Sequence, residues 1–263
     1  MGTLDFHNHL MPGVDDGAQT TEDATQALIK FKADGVTTVI TTPHLDGSTT
    51  TQPDALNARL RELDVAFEKL KRCADKVGGI NVERGVELLL DVPDPNVSDA
   101  RLRLGGGMFF LMEFPFMTVP PFSTRAVEKL CATPYTPIIA HPERYHRFRS
   151  NLDLALEWKE KGAFLQVNGG SLLGRYGAEA REAALELLQR GWADYLSSDY
   201  HARGETLVAE YRGLLESQGA VEHAYLMMQA NPERLLAGKP PIPVPPLQLK
   251  RNVWERMAAI FRS

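Results

Sequence analysis

Short runs rich in β-branched and apolar residues recur along the chain, at 3–6, 36–42, 81–90, 108–114, 137–140, 163–168 and 193–197. Between them lie stretches whose apolar residues repeat at helical spacing. That spacing predicts helices over 23–34, 54–77, 123–131, 152–161, 177–190, 205–217 and 221–230, with Asn231-Pro232 as a cap and a first helical residue. In 54–77, Leu56, Leu60, Leu63, Phe67 and Leu70 fall on one helix face, whereas VTTVITT at 36–42 suits a strand. Seven strands, most followed by a helix, call for a parallel sheet with helical crossovers, because parallel neighbours cannot be joined by a tight turn. Closed on itself, such a sheet is a TIM-like barrel; left open, it is doubly wound. The alternation alone permits both.

Composition narrows the function classes. The 263 residues are 43% hydrophobic and 24% charged, enough for a large core. Lys+Arg number 29 against 34 Asp+Glu, a net charge of −5, which argues against a nucleic-acid partner. No run of ~18 apolar residues suggests a membrane span. The opening residues, MGTLDFH, do not read as a signal peptide. The two cysteines, Cys73 and Cys131, form no Cys-x-x-Cys pair, so a reducing cytoplasm is the expected setting. We divide the chain into a barrel over 1–238 and a tail over 239–263. The tail joins a stiff connector, KPPIPVPP, to an amphipathic stretch at 250–261 carrying Val253, Trp254, Met257, Ile260 and Phe261. That stretch is read first as a helix docked on the body or on a sister subunit, which leaves a homo-oligomer open, with contact to a membrane surface or a partner protein as the alternatives.

The chemistry lies in where the polar residues fall. His7 and His9 end the first predicted strand and His44 the second. Glu87 lies in the third, Glu113 near the end of the fourth, His141 after the fifth, and Asp199 and His201 after the seventh. In β/α barrels the carboxyl ends of the strands converge on one face, where active sites are built. Spacing by two, in His7-x-His9 and Asp199-x-His201, turns both side chains of each pair to one side of an extended chain. Imidazoles mixed with carboxylates suit zinc, manganese or iron better than calcium, and this many suit roughly two or three ions. Asp5 is read as a structural partner, and His146 and His223, which lie off the strand ends, as non-ligands. Arg144 and Arg203, close behind His141 and His201, offer planar forks of donors that match phosphate oxygens. A thiolate nucleophile is not expected: the arginine that a cysteine-based tyrosine phosphatase places shortly after its nucleophile is replaced by Gly79 and Pro137.

The segments DFHNHLMPGVDDG (5–17), TTPHLDG (41–47), GVE (85–87), MEF (112–114), AHPERY (140–145) and SSDYH (197–201) together resemble the PHP (polymerase and histidinol phosphatase) superfamily. Within it, Asp15-Asp16-Gly17 and the His-Pro-Glu-Arg-Tyr run are most similar to the bacterial metal-dependent protein-tyrosine phosphatases of capsule and exopolysaccharide biosynthesis, the CpsB/YwqE-like group. The resemblance spans about 3–237. It implies a distorted (β/α)7 barrel and a site of two or three divalent ions, manganese first, with iron or zinc as alternatives. By position, His7, His9, Glu87 and Asp199 would hold one ion, Glu87, Glu113 and His141 a second, and Asp16, His44 and His201 a third. Arg144 and Arg203 would bind the phosphate. The expected reaction is attack of a metal-activated hydroxide on a protein phosphotyrosine, such as the tyrosine-rich tail of a polysaccharide-export kinase. Phe116-Met117 and Pro120-Pro121-Phe122 are candidates to frame a flat aromatic substrate. The competing readings are a small-molecule phosphoesterase such as a histidinol-phosphate phosphatase, an amidohydrolase, and a metal-binding regulatory protein without catalysis.

Overall fold

The computed structural model describes residues 2–146 and 148–248, the side chain of Phe116 excepted. Its elements run β1 (Thr3–Asp5), α1 (Thr21–Ala33), β2 (Val36–Thr41), β3 (His44–Asp46), α2 (Gly47–Thr50), α3 (Pro53–Val77), β4 (Asn81–Arg84), β5 (Glu87–Leu89) and β6 (Phe109–Glu113). They continue through α4 (Ser123–Cys131), β7 (Thr136–Ala140), α5 (Asp153–Glu160), β8 (Phe164–Asn168), α6 (Gly169–Leu172), α7 (Ala178–Gln189) and β9 (Tyr195–Ser197). The last are α8 (Val208–Ser217), α9 (Val221–Tyr225), a π-turn (Leu226–Ala230) and α10 (Asn231–Leu236). No helix among the described residues is long and apolar enough to cross a membrane.

All strand pairs are parallel, in the orders β1-β2-β4 and β3-β5-β6-β7-β8-β9. The two sheets are one surface. Pro43, which has no N–H to donate, separates β2 from β3, and Gly85-Val86 separates β4 from β5. Rungs bridge the breaks, from Gly85 N to Thr41 O at 3.0 Å and from Glu87 N to Pro43 O at 3.1 Å. On the far side, β1 meets the exit of β9 through the Asn8–Tyr200 bridge, with Asp199 N donating to His7 O at 2.8 Å and His9 N to Tyr200 O at 2.9 Å. The choice left open by the alternation is thus settled as a closed, distorted (β/α)7 barrel, with β2–β3 and β4–β5 each forming one stave.

Strand alternation divides the barrel interior by height. Leu4, Phe6, Ile40, Phe109, Leu111, Ile138, Ala140 and Tyr195 form an inner apolar plug, closed by Leu104 and Leu235. Two residues further along the same inward rows come Glu113, Gln166 and Ser197, and then the segments carrying Asn168 and Asp199. The inward face therefore changes from oil to ligands toward the carboxyl ends. A larger cluster, including Leu28, Phe31, Leu60, Leu63, Leu70 and Trp158, packs the helices against the outside.

Three local expectations are corrected. The helix expected from 205 begins at Val208, because Asp34 at the end of α1 caps it from outside, accepting from Val208 N at 3.1 Å, Ala209 N at 3.3 Å and the Thr206 hydroxyl. The helix expected over 221–230 is α-helical only to Tyr225 and then widens into the π-turn. Asn231 is not a cap: the helix runs through it at φ −70° and ψ −43°. A π-turn makes room for Pro232, whose ring would otherwise collide with the preceding turn. The stretch after α10 crosses back over the amino-terminal end of the barrel, with Val244 and Leu247 buried and Leu247 N donating to Leu188 O at 2.9 Å. The amphipathic stretch at 250–261 lies outside the described residues.

Asn231 joins the start of β9 to this crossing segment. Its buried amide donates to Asp194 O and Ile242 O, both at 3.0 Å, and accepts from Ile242 N at 2.7 Å. Asn231→Ala removes three hydrogen bonds and leaves buried partners unpaired, so it should lower the unfolding free energy by roughly 2–4 kcal/mol. Urea denaturation measures this; an unchanged midpoint would show that the segment is not fastened here.

Candidate metal centre

The chain leaving β1 builds the first part of the site. Asn8 points away and donates to Asp5 Oδ1 at 2.9 Å, while Asp5 Oδ2 accepts from Ser198 N at 2.8 Å, tying the two ends of the barrel seam together. This is the structural role expected of Asp5. His7 and His9 turn inward together, their rings 5.6 Å apart. The loop then folds back so tightly that a Cβ on Gly17 would lie 2.1 Å from His9 O, so only glycine fits. That return places Asp15 Oδ2 2.8 Å from His9 Nδ1, and Asp16 Oδ1 3.4 Å from His201 Nε2 and 3.5 Å from His44 Nε2.

The candidate ligands gather on this face, most of them around Glu87; Asp16 and His201 meet each other and His44 instead, and His44 takes the place expected of His141 beside Glu87 and Glu113. His7 Nε2 lies 3.2 Å from Glu87 Oε1 and 3.3 Å from Asp199 Oδ1, and His9 Nε2 lies 3.4 Å from both Glu87 Oε2 and Asp199 Oδ1. His44 Nδ1 approaches Glu87 at 3.1 Å and Glu113 at 3.5 Å; His141 Nε2 approaches them at 2.9 and 3.8 Å. Three sets have donor atoms mutually within 4.8 Å: His7, His9, Glu87 and Asp199; His44, Glu87 and Glu113; and His9, Asp16, His44 and His201. His9 belongs to two sets, its ring stacked on His201 at 3.9 Å. His141 and Asp199 both take left-handed backbone, at φ 34° and 52°, a strained conformation for side chains of this kind.

The tautomers follow from the outer contacts. Gln166 Nε2 donates to Val167 O at 2.9 Å, which turns its Oε1 to His7 Nδ1 at 2.9 Å. His7 Nδ1 must then carry a proton, leaving the Nε2 lone pair for the centre. Asp15 does the same for His9, and the Asp199 carbonyl, 3.0 Å from Nδ1, does so for His201.

Residues 3–237 match the family model for capsular polysaccharide synthesis, CpsB/CapC. The chain belongs to the CpsB/CapC family. It is 30% identical over 261 residues to the tyrosine-protein phosphatase YwqE of Bacillus subtilis, covering 95% of this chain and 97% of YwqE. It is likewise 30% identical to the putative tyrosine-protein phosphatase CapC of Staphylococcus aureus, covering 76% of this chain and 77% of CapC. Among solved structures, one from a study of B. subtilis YwqE and Streptococcus pneumoniae CpsB, described as metal-dependent tyrosine phosphatases, superimposes with a TM-score of 0.76. It shares 29% identity and is covered in full, against 94% of this chain. The phosphotriesterase homology protein of Escherichia coli, at 15% identity and a TM-score of 0.55, covers 89% of this chain and 98% of its own and shares the barrel alone.

Within this CpsB/CapC site the two arginines differ. Arg144 is three-quarters buried, pairs through Nη1 with Asp199 Oδ2, and lies with its guanidinium carbon 4.1 Å from the Tyr176 ring centre. Arg203 is 68% exposed and donates to Asp16 O at 2.6 Å, so it stands at the mouth and holds the Asp16 loop. His223 is spent on Pro245 O at 2.9 Å, and His146 is exposed; neither joins the three sets. The sequence reading missed Gln166, Asn168, Glu143 and Tyr176. Polar residues inside the otherwise apolar run FLQVN were the available signal for the first two. Buried Glu143 accepts from Asn168 N at 2.9 Å and Ser171 Oγ at 2.7 Å, and so secures the turn behind His141.

Without a cation, the cluster balances its charge with protons. Burial disfavours the imidazolium of His7, His9 and His44, but Glu87, Asp199, Asp15 and Glu113 more than offset this, raising all three, His44 to about 10. Glu87 and Asp199 move down despite burial, held by His7 and its neighbours. His201 moves the other way, depressed by burial and by His9. Raised histidines stabilise the fold fully below their unfolded value near 6.5 and lose that contribution as pH rises through the folded values; depressed carboxylates lose theirs in acid. Chelated protein should therefore melt progressively lower from pH ~6.5 toward the His44 value of about 10, while manganese-supplemented protein, with cations replacing protons, should not. Parallel calorimetric scans check this; identical pH profiles would contradict it.

Proposed function

We propose that the chain is a metal-dependent phosphatase acting on protein phosphotyrosine, with two or three divalent ions, manganese first, held by His7, His9, Asp16, His44, Glu87, Glu113, His141, Asp199 and His201. One observation carries the reading. His7 Nε2, His9 Nε2, Glu87 Oε2 and Asp199 Oδ1 are buried with no hydrogen-bond partner among the described residues, and they face one another. The other atom of each group is engaged, on Gln166, Asp15, His141, and Arg144 with Asn168. Four buried polar atoms without partners would be costly, and a cation is the partner this mixture of nitrogen and oxygen donors fits.

Divalent ions on these groups would supply an activated water for attack at phosphorus and positive charge against the phosphoryl oxygens. The chain's own residues do the rest. Gln166 and Asp15 keep the imidazole lone pairs aimed inward. Arg144 presents its fork beside the cluster, and Arg203 adds a donor at the mouth. Tyrosine, with a phenol pKa near ~10, leaves more readily than an alkoxide, so no strong general acid is required.

The rim supports a polypeptide substrate over a free small molecule. Phe122, 84% exposed, divides two open grooves of about 320 and 590 Å³. Leu90 and Phe114 line one, just beyond the segments bearing Glu87 and Glu113; His146 and Phe148 line the other, just beyond Arg144. Within a capsule-synthesis family, we take the natural substrate to be the tyrosine-rich tail of a polysaccharide-export kinase. A cytoplasmic setting accords with Cys73 and Cys131, both free.

A panel of phosphotyrosine peptide, histidinol phosphate and nucleotides, assayed with and without manganese, tests the reading; preference for histidinol phosphate would replace it with the small-molecule phosphoesterase. Elemental analysis should find two or three metals per chain. Glu113→Ala should lower both metal content and activity. Arg144→Ala should keep metal and melting temperature while lowering kcat/KM by about 100-fold, and Arg144→Lys should recover part of it. If Arg144→Ala loses metal and Glu113→Ala does not, the division between clamp and ligand is reversed.

Neither cysteine has the setting of a nucleophile. Cys73 is buried on α3, and burial pushes the Cys131 thiol up to about 11. Cys73→Ser with Cys131→Ser should keep turnover near wild type. A loss beyond about tenfold in a folded variant, ~1.4 kcal/mol in the barrier, would contradict the metal mechanism.

A further inference from the structure

Arg144 is gripped from two directions, by Asp199 of the candidate ligand set and by Tyr176, which with Asn168 belongs to no such set. Its Nη1 donates to Asp199 Oδ2, and the same oxygen accepts from Asn168 Nδ2 at 3.1 Å. Asn168 Nδ2 also lies 3.4 Å from the Tyr176 hydroxyl, and the Tyr176 ring faces the guanidinium with 4.1 Å from its centre to the Arg144 carbon. Asn168 is itself fixed: its Oδ1 accepts from Gly170 N at 3.0 Å and its N–H donates to Glu143 at 2.9 Å. Arg144, Asp199, Asn168 and Tyr176 thus close a ring of contacts at the edge of the cluster. A guanidinium has five N–H donors in one plane, so fixing one edge and one face determines where the remaining donors point.

We propose that Tyr176 is a positioning residue for Arg144, setting the plane of the guanidinium against Asp199 so that the open edge of the fork meets a phosphoryl group at the neighbouring cluster. This rests on the phosphatase reading above. An arginine side chain has many rotamers, and an ion pair at a single nitrogen leaves the plane free to swivel; a ring laid on the face removes that freedom. The turn between α6 and α7 serves this end. Arg175 N donates to Gly170 O at 3.0 Å, and a Cβ on Gly170 would lie 3.2 Å from the Tyr176 ring, so the turn sets the ring closely against its own start.

The test is a double-mutant cycle on manganese-loaded protein. Orthophosphate binding is read by calorimetry, and kcat and KM are read with a phosphotyrosine peptide. Metal content and melting temperature are read first; should Tyr176→Leu be unstable, Tyr176→Met takes its place. Tyr176→Leu should weaken orthophosphate binding by about tenfold and raise KM for the peptide by a similar factor. Tyr176→Phe, which keeps the ring, should stay within about threefold of wild type. In an Arg144→Ala background, Tyr176→Leu should add less than about twofold, because its effect runs through the arginine. An additive cycle, or a Tyr176→Leu protein that binds orthophosphate as wild type does, overturns the proposal. Absent peptide turnover with the phosphate cycle intact would count against the phosphatase reading and leave the proposal standing. Intact turnover with an additive cycle would do the reverse.

Discussion

Glu87 is buried on β5 among four imidazoles, and the architecture at this end of the barrel follows from satisfying it. A lone carboxylate taken out of water would neutralise itself by shifting its pKa upward. Glu87 instead stays far below the ordinary range, because His7, His9, His44 and His141 all lie within 3.4 Å of its oxygens. Those imidazoles come from three other staves or their exits. The charge at the centre is therefore compensated only when the barrel is closed, and closure and site assembly are one event.

The seam shows how this is enforced. Residues 7–9 pair with 199–200, so the backbone that shuts the barrel also carries His7, His9 and Asp199. Asp5 and Ser197 sit just below. Asp5 accepts from Ser198 N, and the Ser197 hydroxyl accepts from both Phe6 N and His7 N at 3.0 Å. A shift along the seam by one residue would turn Asn8 inward and both histidines outward, so its register carries functional information.

Much of this was legible in the chain. Each strand run has a counterpart in the barrel, since alternating β-branched residues and helical apolar spacing report burial directly, and α4 occupies the very residues expected. Most candidate ligands could be found because they sit in or just after a strand run, whereas Asp16, well beyond β1, was expected only from the resemblance. Features made by partners distant in sequence were hidden. Asp34 caps α8 from across 174 residues, and no local pattern at 205 reveals that. Asn231 before proline reads as a cap by its own chemistry, but its amide is claimed by Asp194 and Ile242. Closure itself depends on the Asn8–Tyr200 bridge, which leaves no periodic trace.

Strain and rigidity are divided accordingly. Candidate ligands carried by regular strand, such as Glu87 and Glu113, need no special backbone. His141 and Asp199 must turn back into the mouth after their strands end, and each adopts a left-handed conformation to do so. Such a conformation costs of order 1–3 kcal/mol and persists only where its surroundings over-determine it. At His141 the fastening is the turn of Pro142–Arg144 and buried Glu143; at Asp199 it is the seam, Arg144 and Asn168. Both fastenings run through the segment bearing Arg144. Arg144, which we propose meets the phosphate, is one of several contacts at Asp199, and the seam and Asn168 remain there without it.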